Sequence, residues 1–138
     1  MSPLINAPES IAPIRKLKVK CAATTTVGDV LAWSQTADDG ITVVIGGVGA
    51  IPCGIALEAG AAGDYIWMQT RGISQVALVT DQNVAANGGL ICGADGIVAQ
   101  DVIDASLVTP FMVGFALADD SSTTLAAGDA IICPLSGW

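Results

Sequence analysis

The chain has 138 residues and a mass of 13.8 kDa, enough for one domain with a real core and not for two. It is 52% hydrophobic and 13% charged, with no histidine and a formal net charge of −8. These figures exclude disorder, nucleic-acid binding through bulk charge, and catalytic or metal sites built on imidazole.

Residues 1–13 carry Pro3, Pro8 and Pro13 and read as an extended N-terminal arm. No basic stretch is followed by an apolar one there, so a secretory signal is not expected. Ile14 to Cys21 then alternates Leu17, Val19 and Cys21 with Lys16, Lys18 and Lys20, which is a strand with one basic face. Residues 1–20 hold a net +3 and the remainder −11, so charge is sharply segregated along the chain. A solvated edge strand protected by lysine is one reading of that face. A docking arm for an acidic protein surface is the other, and it also explains the prolines. In that reading Leu4, Ile5, Ile11 and Ile14 are apolar anchors, and Arg15, Lys16, Lys18 and Lys20 are the cationic contacts.

From Val27 the chain repeats a plan. Gly28-Asp29-Val30-Leu31 answers to Gly88-Gly89-Leu90-Ile91, and the turn Asp39-Gly40-Ile41 to Asp95-Gly96-Ile97. Cys53-Gly54-Ile55-Ala56-Leu57 answers to Val113-Gly114-Phe115-Ala116-Leu117, and Ala61-Ala62-Gly63-Asp64 to Ala126-Ala127-Gly128-Asp129. Arg71-Gly72 closes the series against Ser136-Gly137. Matched turn chemistry in the same order predicts an internal duplication, with units of about 28–72 and 88–137. Short strands punctuated every 8–12 residues predict an all-β fold, a compact β-sandwich or β-barrel over residues 14–138 behind the 1–13 arm. One-turn helices fit only at Leu57–Ala62 and Asp101–Leu107. No apolar run approaches the ~20 residues that span a bilayer, so no membrane partner is expected.

Chemistry-bearing residues are few. Asp38-Asp39 and Asp119-Asp120 lie at turns, where aspartate caps backbone N–H groups. Ser34, Ser74, Ser106 and Ser136 have no histidine and no nucleophile-elbow setting. Gly46-Gly47-Val48-Gly49 lacks the Lys-Ser/Thr of a phosphate loop and reads as a connection between strands. Cys21, Cys53, Cys92 and Cys133 sit among apolar strand residues without a C-x-x-C, and are expected to be buried free thiols. Tyr65, Trp33 and Trp67 suggest a sugar platform, but Trp67 aligns with Ile132 and is expected in the core. No enzyme activity, cofactor or metal is expected.

The turns and strands Gly28-Asp29-Val30-Leu31, Asp39-Gly40-Ile41, Cys53-Gly54-Ile55-Ala56-Leu57-Glu58-Ala59, Ala62-Gly63-Asp64-Tyr65-Ile66 and Arg71-Gly72-Ile73 resemble the head decoration (capsid cement) proteins of tailed bacteriophages. The likeness spans about residues 14–137. Gly-Asp turns also mark lipoyl and biotinyl domains, but those need a modifiable lysine at a hairpin tip, which Asp39-Gly40 and Asp95-Gly96 lack. The resemblance implies a β-sandwich or β-barrel, a homotrimer on the outer surface of an icosahedral capsid, synthesis in the host cytoplasm, and no catalysis. Its partners would be the major capsid protein and further copies of the chain, with neither nucleic acid nor membrane. The four cysteines depart from that pattern. The alternative function is an oligomeric carbohydrate-binding or adhesin-type β-protein, with an enzyme relying on carboxylates alone as a third class.

Overall fold

The computed structural model describes residues 14–47, 50–78, 89–93, 98–100, 112–115 and 130–135. Their regular secondary structure is entirely β. Nine strands run β1 (Arg15–Cys21), β2 (Val30–Trp33), β3 (Thr42–Ile45), β4 (Gly54–Ala56), β5 (Tyr65–Leu78), β6 (Gly89–Cys92), β7 (Val98–Gln100), β8 (Met112–Phe115) and β9 (Ala130–Leu135). Leu57–Ala62 is not helical; it forms turns and a single bridge between Thr25 and Gly60. Asp101–Leu107 lies outside the described residues.

The strands order β1-β3-β2-β4-β5-β9-β8-β6-β7, and β1 pairs additionally with β5. That extra pairing closes β1, β3, β2, β4 and β5 into a five-stranded ring, so the architecture is barrel-like at this end. Among the described strands only the β1–β3 contact, Lys20 with Thr42 and Cys21 with Val43, is parallel. β1 is therefore paired on both sides only at its C-terminal end, Lys20 and Cys21, while Arg15 to Val19 pair with β5 alone.

β5 belongs to two neighbourhoods. Lys16 to Lys20 of β1 pair with Tyr65 to Gln69, whereas Gly72 to Leu78 pair with β9. Gly72, at φ +97°, sits where the strand changes partners, a backbone conformation that glycine adopts without steric cost. The buried Gln69 amide braces the same bend, donating from Nε2 to the carbonyls of Arg71 (3.2 Å) and Ile73 (3.1 Å).

Pairings in the two halves run in the same order. β2 pairs with β3 and β4, and β4 with β5. β6 pairs with β7 and β8, and β8 with β9, all antiparallel. Leu31 faces Gly54, whereas Gly114 faces Leu90, one position before the Ile91 that the sequence match aligns with Leu31.

Two apolar clusters follow from strand alternation. Val19, Cys21, Leu31, Val43, Cys53, Ala56, Ile66 and Met68 fill the ring. Val30 and Ile55, on the opposite faces of β2 and β4, join Ala77, Leu90, Cys92 and Val113. The second cluster thus glues the later strands onto the outside of the ring. Strands buried on both faces need small or branched side chains, consistent with an alanine-rich chain short of aromatics. Leu17, by contrast, is 43% exposed although the alternation places it with Val19.

The Gly-Asp turns are built alike. In Thr26–Asp29 the Asp29 N–H donates to the Thr26 carbonyl (3.2 Å), and the Thr26 N–H donates back to Asp29 Oδ2 (2.9 Å). In Ala61–Asp64 the equivalent distances are 3.0 and 2.8 Å. Gly28 and Gly63 occupy the third position at φ +95° and +91°, the left-handed geometry a type II turn requires there. A recurring Gly-Asp in the sequence is therefore a recurring turn whose carboxylate closes on itself.

Cys21, Cys53 and Cys92 are buried free thiols, as the sequence implies, while the side chain of Cys133 lies outside the described residues. Burial, with Cys92 nearby, pushes Cys53 up to about 12, and burial pushes Cys92 up to about 11. At neutral pH both stay protonated and are poor nucleophiles. Alkylation of the native protein by iodoacetamide near pH 8 is expected to spare Cys53 and Cys92, and guanidinium to expose them. Native labelling at either, read by peptide mass spectrometry, would contradict this packing.

Candidate functional site

All five cations of the chain, Arg15, Lys16, Lys18, Lys20 and Arg71, lie on the adjacent strands β1 and β5. Arg15 stands directly opposite Arg71, Lys16 opposite Gln69, Lys18 opposite Trp67, and Lys20 opposite Tyr65. Alternation sends Val19 and Cys21 into the ring and the lysines outward, where Lys16 and Lys18 are exposed and Lys20 is half-buried. Like charges facing each other across a strand pair destabilise a sheet by up to about 1 kcal/mol. Folding alone gives no reason to gather every cation here.

Trp67 is the centre of the patch. The ammonium groups of Lys18 and Lys16 lie 4.9 and 5.4 Å from its ring centroid. Each such contact contributes about 0.5–1 kcal/mol when exposed and, more usefully, holds two flexible cations over one surface. The backbone of Trp67 is fixed by the neighbouring turn: its N–H donates to Glu58 Oε2 (3.3 Å) and its carbonyl accepts from Leu57 N–H (2.9 Å). Thr70 Oγ1 donates to the Arg15 carbonyl (3.3 Å) and ties the other end of the seam. Among the described residues none of the five cations is in an ion pair.

One expectation is corrected here. Trp67 is 38% exposed rather than in the core, because β5 alternates Ile66 and Met68 inward and Tyr65 and Trp67 outward. The basic strand is also accompanied by aromatic residues, supplied by β5 some 45 residues later in the chain. Arg71 joins the basic strand only through strand pairing: the repeated Arg71-Gly72 position is legible in the sequence, but its place opposite Arg15 is not. Of the expected contacts, Ile14 is 60% exposed at the entry to β1, and Arg15, Lys16, Lys18 and Lys20 fall on the ladder. Leu4, Ile5 and Ile11 lie outside the described residues.

The aspartates do turn chemistry. Asp39 Oδ1 accepts from Ile41 N–H (3.0 Å) and Thr42 N–H (2.8 Å), and Oδ2 accepts from Thr42 Oγ1 (2.6 Å). These bonds, the Thr42 hydroxyl first, lower its pKa from the ordinary 3.8 to about 2. A depressed carboxylate stabilises the fold fully above its ordinary pKa and loses that contribution as pH falls through about 2. Asp39→Ala is therefore expected to lower Tm most near neutral pH, with the two proteins converging toward pH 2; a Tm difference independent of pH would show that the charge is irrelevant. Asp119-Asp120 lies outside the described residues. Among those described, Ser34 Oγ accepts from Ala37 N–H (3.1 Å), buried Ser74 Oγ accepts from Val76 N–H (3.4 Å), and no three metal-ligating side chains cluster.

No protein-family model and no curated protein sequence matches the chain. Among solved structures, the chain is similar in fold to the N base of the head fiber protein gp8.5 of bacteriophage phi29, with a TM-score of 0.61 and 16% sequence identity over 89% of this chain and 94% of that one.

Proposed function

We propose that the protein is a structural component of a phage virion that binds the outer surface of an icosahedral capsid as an oligomer and stabilises the shell. The observation that carries this reading is the β1–β5 ladder, which places every cation of an acidic protein on one seam beside Trp67 and Tyr65. An exposed, fixed aromatic flanked by cations suits an acidic protein surface, because the ring supplies buried area while the charges set orientation. The fold it shares with a phage head fiber base supports a virion role. Nothing in this reading requires catalysis.

The arm of residues 1–13 leads directly into the ladder at Ile14, so Leu4, Ile5 and Ile11 extend the same contact. A homotrimer fits a three-fold capsid position, and exposed Ile14, Val27 and Ile41 offer apolar area for association. The duplication is proposed over units of about 28–72 and 88–137, with β1 and residues 72–78 each lying antiparallel to the last strand of one half. Incubation with phage heads lacking the protein, followed by gradient sedimentation, tests the function. Co-migration and increased resistance of the heads to heat or chelator are expected; a protein left at the top of the gradient would refute the proposal.

A further inference from the structure

A second site lies across the ring from the ladder. In the order β1-β3-β2-β4-β5, β2 is the strand opposite the β1–β5 seam. Its last residue, Trp33, is 41% exposed and lines a groove of about 440 Å³ together with Ser34, Gln35, Thr36, Val44 and Ile51. We propose that this groove binds a neutral saccharide.

The lining selects that chemistry. Among the described residues its lining holds no charged side chain, which favours a neutral ligand over an acidic or a basic one. Trp33, exposed at the end of β2, offers an aromatic surface of the kind on which the C–H face of a pyranose stacks, and Val44, from the opposite face of the β2–β3 pair, and Ile51 add apolar lining. Ser34, Gln35 and Thr36, next in the chain, add three successive side chains with hydroxyl or amide groups. Gln35 and Thr36 make no side-chain hydrogen bond among the described residues, and the Ser34 hydroxyl, an acceptor for Ala37, retains its own proton to donate. An exposed aromatic ring beside a run of neutral donors and acceptors matches a polyhydroxylated ring with one apolar face. The volume falls within the range of small-molecule sites, about 300–1,000 Å³.

The polar run is also held in place before any ligand arrives. Ser34 fixes its start through Ala37, and Asp39 fixes its end through Ile41 and Thr42. A rigid loop loses less entropy on binding. With the ladder against a capsid, the groove on the far wall would remain accessible, although saccharide binding does not depend on capsid attachment.

The test is an NMR titration of the full-length protein with maltotriose, chitotriose and mannotriose, with a sulfated disaccharide as the charged control. The Trp33 indole N–H signal, identified by its loss in Trp33→Ala, is expected to shift saturably at millimolar concentration with at least one neutral sugar and not with the sulfated one. Trp33→Ala should weaken that binding at least tenfold, followed through the Gln35 amide, while Trp33→Phe costs only a few-fold and Trp67→Ala leaves it unchanged. Because Trp33 ends its strand and is exposed, both variants should keep the wild-type Tm, which is measured alongside. Absence of a saturable shift with every neutral sugar would overturn the proposal, as would Trp33→Ala binding like wild type. It would equally be overturned if Trp33 were shielded from acrylamide and Trp33→Ala reduced the oligomer's mass, because the groove would then be filled by a second copy.

Discussion

Gly28→Ala is expected to destabilise the protein by about 3 kcal/mol, whereas Gly63→Ala in the same kind of turn costs about 1–2 kcal/mol. The two glycines differ in φ by only a few degrees, +95° against +91°, so the backbone strain of adding a Cβ is the same. Their surroundings differ. At Gly63 a Cβ would meet nothing within 4 Å. At Gly28 it would fall on the carbonyl oxygen of Val76 and come 2.7 Å from Leu78 Cγ. The carbonyl belongs to β5 and cannot rotate away. Gly28 also donates its N–H to the Ala56 carbonyl (2.9 Å) and accepts from Leu78 N–H (3.3 Å), so displacing it loosens β4 and the second half of β5 together. For a domain of this size, about 3 kcal/mol corresponds to a Tm drop near 10 °C. Equal Tm losses for the two variants would mean that turn strain alone matters and that the close approach of β5 relaxes freely.

That contrast marks what the sequence makes legible. The Gly-Asp turns are local: four residues contain the positive φ, the backbone bond and the carboxylate that closes the loop, so the motif can be read without knowing the fold. The same holds for the β1 alternation, which assigns Val19 and Cys21 inward and the lysines outward. What a strand pairs with is not local. The parallel contact of β1 with β3 and the antiparallel one with β5 join residues 22 to 56 positions apart, and neither is encoded in the composition of β1. For that reason the basic strand could be found but its aromatic partner could not. Trp67 was misplaced for a related reason: its sequence match to Ile132 favoured a core assignment, while the local alternation Tyr65-Ile66-Trp67-Met68 already pointed outward. Leu17 failed in the other direction, since alternation fixes a face but not how far along the barrel the core extends. The partner change of β5 at Gly72 is the feature hardest to foresee, because one unbroken 14-residue strand looks like a single element.

Replacing Lys16, Lys18 and Arg71 by Ser is expected to weaken capture by phage heads at least tenfold while leaving the fold intact. The three side chains are exposed, and among the described residues their removal breaks no ion pair. Loss of the Arg15–Arg71 repulsion should offset the two lysine–Trp67 contacts, leaving Tm within a few degrees of wild type. Each cation in a hydrated interface contributes about 0–1 kcal/mol, and three together account for roughly a tenfold to hundredfold change per chain. If three chains dock together, the losses compound through effective concentration, and detachment becomes nearly complete. Salt distinguishes this from a general loss of contact. Wild-type capture should fall as ionic strength rises and the screening length shortens from about 8 Å toward 3 Å, whereas the variant's residual capture should be nearly flat. Trp67→Ala should do the reverse, weakening capture by a similar factor while keeping the salt dependence. Deletion of residues 1–13, which leaves Ile14 and the ladder in place, separates the arm from the seam. Should that deletion abolish capture while the triple variant binds as tightly as wild type with the same salt dependence, attachment would belong to Leu4, Ile5 and Ile11, and the ladder would have to be assigned to some other acidic partner.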